Sequence, residues 1–146
     1  MINDLIKVTG ELKITVTNPE GNVKQEVVVP NLVVTTGKNL IASRLKDTTD
    51  AAMSHMAIGT DSTAAAAGDT ALGSEAGRVA ITSTTVTTNS VAYVASFGAG
   101  TGTGAITEAG LLNASSGGTL LCRTVFSVIN KGAADTLGIT WTVTVS

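Results

Sequence analysis

The sequence predicts an all-β fold, an antiparallel β-sandwich or jelly roll with one short helix near residues 36–46. Three observations predict it. Apolar residues recur at every second position in several separate segments, which is the period of a half-buried strand. Turn signals separate these segments at intervals of roughly 8–12 residues, as in sandwiches and barrels. Only one segment of the 146-residue chain has helical spacing, and strands do not alternate with helices as a parallel α/β sheet requires.

The elements follow in order. In "LKITVTN", Leu12, Ile14 and Val16 alternate with Lys13, Thr15 and Thr17, and "PEGN" at 19–22 then turns the chain into a second strand, "VKQEVVVP". "TTGKNLIASRLKDTTD" groups Leu40, Ile41 and Leu45 on one side of a helix, with Thr35 or Thr36 as the N-cap. So short a helix is marginal alone and is expected to pack its apolar stripe on a sheet. "SHMAIG" reads as a short strand. The following "TDSTAAAAGDTALGSEAG" has no period and reads as a long loop.

From there the β signal is dense: "RVAITSTTVTTN", then "SVAYVASF" with Val91, Tyr93, Ala95 and Phe97 on one face. Next come "AITEAGLLN" and "GTLLCRTVFSVI", the latter with Leu120, Cys122, Thr124 and Phe126 on one face. "NKGAAD" is a turn. "LGITWTVTVS" closes the series, with Leu137, Ile139, Trp141, Val143 and Val145 alternating with Gly138, Thr140, Thr142 and Thr144. Residues 11–146 are expected to form a single domain, and residues 1–10 an N-terminal arm or edge strand.

Composition bounds the function. A net charge of −2, a pI near 5.2 and 3% aromatics argue against nucleic-acid binding, which draws on basic residues and stacking platforms. No apolar run approaches a membrane span, and the N-terminal segment does not read as a signal peptide. Charged side chains are sparse: from Val79 to Ser146 they are Glu108, Arg123, Lys131 and Asp135 alone. A surface so poor in charge points to coverage by other subunits or to a threonine-coated sheet.

Motifs for chemistry are weak. In "FGAGTGTGAITEAG", Gly100, Gly102 and Ala105 match a loose dinucleotide fingerprint, but the helix and the later acid that the pyrophosphate and ribose need do not follow. The glycines read instead as a strand connection. Around Lys38, "TGKN" lacks the upstream glycine and the hydroxyl of a phosphate loop. One His, His55, and one Cys, Cys122, make no metal set, and no cofactor or metal is expected. Glu75 and Glu108 are the conceivable acid and nucleophile of a glycosidase. Ion pairing of Glu108 with Arg123 or Arg78 is the stronger expectation, and Trp141 reads as a core anchor.

Taken together and in this order, "NLVVTTGKNLIASRL", "SHMAIGTDSTAAAAGDTALGSEAGR", "FGAGTGTGAITEAGLLN" and "LCRTVFSVINKGAADTLGITWTVTVS" resemble small virion structural proteins of tailed bacteriophages. Some of that group are described as head or decoration proteins, others as tail or fibre components. The resemblance implies a β-rich, non-enzymatic building block made in the bacterial cytoplasm and built into the virion. The expected role is capsid cement, with the major capsid protein or neighbouring virion proteins as partners and a homo-oligomer as the assembled form; a tail, baseplate or fibre component is the alternative. Leu5 and Ile6, in the arm, and Val27, Val28 and Val29, in an apolar edge, are the expected assembly-interface residues.

Overall fold

A computed structural model describes residues 5–47 and 49–146. Among these described residues, ten strands and one helix follow one another as β1 (Val8–Thr17), β2 (Val23–Pro30), β3 (Leu32–Val33), α1 (Thr35–Arg44), β4 (His55–Gly59), β5 (Glu75–Ala80), β6 (Ser83–Thr87), β7 (Ser90–Phe97), β8 (Gly104–Leu112), β9 (Leu120–Lys131) and β10 (Thr136–Val145). All observed pairings are antiparallel, in two five-stranded sheets: β2-β1-β10-β7-β6 and β3-β9-β8-β4-β5.

The expected alternation builds the core. From the first sheet, Leu12, Ile14, Val16, Ala95, Phe97, Leu137, Ile139, Trp141 and Val143 point inward. From the second, Met56, Ile58, Ile106, Ala109, Leu111, Cys122, Phe126 and Ile129 meet them in one buried cluster. Trp141 is fully buried and donates its indole N–H to Asn31 Oδ1 at 2.7 Å, so the one polar atom of the largest core side chain is paired. The β1–β2 turn closes as expected, with Gly21 at φ 86.

The structure corrects three details. The stretch "RVAITSTTVTTN" is two strands, not one: the chain leaves the second sheet after Ala80 and enters the first at Ser83, with Ile81 and Thr82 at the corner. In α1 neither threonine caps the helix. Val34 is the N-cap without a side-chain bond, and Thr36 donates its hydroxyl to the Leu120 carbonyl at 2.9 Å, tying the helix to β9. Leu40 is buried, but Leu45 lies past the last helical residue and is 90% exposed. The helical stripe stops one turn early: Gly37 and Leu40 are buried and Ile41 packs half-buried against the core.

The 60–74 segment is the longest connection and the most informative. It lies across the outer face of the second sheet, where Leu72 packs with Val34, Ala57, Leu112 and Leu120 in a second, smaller hydrophobic cluster. This is why the burial of β8 is nearly continuous from Ile106 to Leu112, without alternation. One face of the strand meets the main core and the other meets the loop.

Candidate functional site

The strongest concentration of charge is the device that holds this loop. Glu108 sits on β8 opposite Val125 of β9, which puts Arg123, two residues along β9, diagonally beside it on the same face. Glu108 is fully buried and Arg123 nearly so, and Arg123 Nε donates to Glu108 Oε1 at 3.1 Å. The remaining capacity of the carboxylate is filled by the loop backbone: Gly73 N–H donates to Oε1 at 2.9 Å, and Asp61 and Ser74 N–H donate to Oε2 at 3.0 and 2.8 Å. Both ends of the loop therefore converge on one side chain.

Arg123 reaches the middle of the loop. Its Nη1 donates to Asp69 Oδ2 at 2.9 Å and its Nη2 to the Thr63 carbonyl at 3.1 Å, with Asp61 Oδ2 at 3.6 Å. Burial opposes the guanidinium charge, but the bonds to Asp69 and Glu108 outweigh it and raise its pKa above the ordinary value. The Asp61 carboxyl is held low, first by the Thr63 backbone N–H. Gly59 lets the loop approach, since a Cβ there would strike the Ser74 carbonyl and the Glu108 carboxylate.

Glu108 thus pairs with Arg123, one of its two expected partners. Arg78 is bound instead by Glu75, three residues earlier on β5, at 2.6 Å, and donates to the Ala114 and Gly117 carbonyls. The register places Glu75 and Glu108 on either side of Gly59, two strands apart in one row. Each carboxylate is engaged by its own arginine.

A second polar cluster ties the glycine loop at 98–103. Lys131, buried at the end of β9, donates to the Gly98 carbonyl at 2.8 Å, and Gly100 N–H donates to the Ala133 carbonyl at 2.8 Å. Asp135 takes Lys24 at 2.6 Å and the Gly132 N–H at 2.7 Å, which hold its carboxyl below the usual range. Burial lowers the Lys131 pKa, against the pull of Asp135. Gly100 and Gly102 take φ of 80 and 66 in this connection from β7 to β8, and the segment after them is a strand. Sequence reasoning named the loop but not the Lys131 and Asp135 ties, whose partners are distant in the chain.

The other singled-out residues stand apart. Lys38 is exposed on α1, and His55 is half-buried at the start of β4 with Ser54 Oγ at 2.8 Å from its Nδ1. Cys122 is in the core, and burial pushes its thiol up to about 12. Among the described residues no group of His, Cys, Asp and Glu is gathered as a metal site would need, and no helix is long and apolar enough to cross a membrane.

Of the expected interface residues, Leu5 and Ile6 are 77% and 74% exposed, ahead of β1. Met1 to Asp4 of the expected arm lie outside the described residues, whereas Val8 to Gly10 belong to β1 and pair with β10. Val27 and Val29 point inward against the core, and Val28 points outward on β2, an edge strand.

Fold and clasp together define an all-β domain of two antiparallel sheets whose longest loop is held down by a buried ion-pair cluster. Comparison with protein families, with characterised proteins and with solved structures found no match for the chain.

Proposed function

We propose that the chain is a non-enzymatic structural protein of a bacteriophage virion, and within the particle a cement or decoration protein bound to the head shell through protein–protein contacts. The observation that carries the reading is the placement of charge. Glu108, Arg123, Lys131 and Asp135 are all buried, and they are the only charged side chains from Val79 to Ser146. Every solvent-facing side chain of β6, β7 and β10 is therefore uncharged. Such a surface is covered by other protein without stripping water from charges, which removes one of the costs of forming an interface. The resemblance of the sequence to phage virion proteins supports the same reading, with the major capsid protein or a neighbouring virion protein as partner.

For the architecture we propose a sandwich and not a jelly roll. The pairs β1–β2, β4–β5, β6–β7 and β8–β9 are hairpin neighbours within one sheet, and the chain changes sheets between them.

A tail, baseplate or fibre component is the second reading, favoured by the largely exposed glycine loop as a contact at one end of the domain. Copy number separates the two: quantitative mass spectrometry of purified particles should find the protein within a few-fold of the major shell protein if it is cement. A ratio one or two orders of magnitude smaller would move it to the tail, and absence from particles would overturn both.

A further inference from the structure

Among the described residues, strand β6 is the one sheet edge built without protection. Edges expose a row of unpaired backbone N–H and C=O groups and are ordinarily blunted by charge, proline or a cover. Three of the four edges here are blunted. β2 carries Lys24 and Glu26 and ends at Pro30. β5 carries Glu75 and Arg78, the latter clamped to the 114–117 turn. β3 is two residues long.

β6 has none of these devices. Its sequence is STTVT, all five residues are exposed, and Val86 is 70% exposed. β7 covers one side of it, and among the described residues no strand pairs with the other. The nearest charged side chains in sequence are Arg78 and Glu108. Because β5 packs against β7, β6 overhangs the second sheet.

We propose that β6 pairs antiparallel with β6 of a second copy, about a two-fold axis at Thr85, joining the two first sheets into one continuous ten-stranded sheet. A second copy fits because the strand is self-complementary in this register. Thr85 faces its own equivalent, Ser83 faces Thr87, and Thr84 faces Val86 on the side continuous with Val91 and Tyr93. β-branched residues pair well across strands, and no like charges meet. The dimer is isologous and closes, so it does not propagate into a fibre. The inference does not rest on the virion reading and is tested on the purified protein alone.

Sedimentation equilibrium of the wild-type chain should report a dimer. Thr85→Lys puts two lysines opposite each other on the axis, at a position that is exposed in the monomer, and should weaken dimerisation by roughly fivefold or more. Thr85→Glu should do the same, and an equimolar mixture of the two variants should recover the dimer as a heterodimer. Trp141 fluorescence checks that each variant is folded. A wild-type chain that remains monomeric, or variants that dimerise as tightly as wild type, would overturn the proposal.

Discussion

Glu108 shows how one side chain can decide where a loop lies. Its carboxylate receives Arg123 and three loop amides while out of contact with water. Replacing it with alanine removes the one fully buried carboxylate from Arg123, which keeps Asp69, and leaves three N–H groups without acceptors, a loss of about 3 kcal/mol. That is a large fraction of the roughly 5–15 kcal/mol that holds a domain folded. Denaturant titration of Glu108→Ala should show that loss, and hydrogen exchange should show the amides of Asp61, Gly73 and Ser74 losing protection before those of the core. An unchanged midpoint would mean that the cluster contributes nothing net. The sequence narrowed the partner to Arg123 or Arg78, since few cations lay nearby in the β-rich half. The choice between them depends on the β8–β9 register, which alternation alone does not give because bulges shift it at two places.

Helix α1 makes a sharper test at the scale of an element. Glycine to alanine inside a helix ordinarily stabilises by about 1 kcal/mol. Gly37 reverses the sign, because its added Cβ would run into the backbone of Leu121 on β9. Gly37→Ala should lower stability by about 1–3 kcal/mol, measured by denaturation, by prising α1 off the sheet. Asn39→Ala, at an exposed position of the same helix, should instead be neutral or slightly stabilising. Elements with a regular period were legible in advance: the hairpin turn and β10 appear where expected, and β1 does too except that it begins at Val8 and not at Leu12. The loop reading ran from Thr60 to Gly77, three residues into β5, and did not foresee that the segment covers a sheet face. Leu72 is its one apolar anchor, and a single residue carries no period. The break at Ile81 and Thr82 was hidden for the opposite reason, because β-branched residues continue across it.

For the molecule as a whole, acid should be the weak side. Asp135 and Asp61 have carboxyl groups held below their ordinary values, by Lys24 and by the Thr63 amide first. A lowered carboxyl pKa stabilises the fold fully above the unfolded value of about 3.9, and that contribution disappears as pH falls through the folded value. Melting temperature should accordingly be flat near neutrality and fall below about pH 4. Asp135→Asn should melt lower at neutral pH and lose less on acidification; parallel curves for the two proteins would remove Asp135 from the account.

The position of β10 has a consequence for the order in which this chain becomes a protein. It is the middle strand of the first sheet and follows every other strand in sequence, with β1 on one side and β7 on the other. During synthesis the first sheet therefore exists only as two separate hairpins, each presenting an open flank, until the segment from Thr136 to Val145 has left the ribosome. Folding of this half waits for that segment, and its dependence on distant pairings places it among slow folders, on a scale of about milliseconds to seconds.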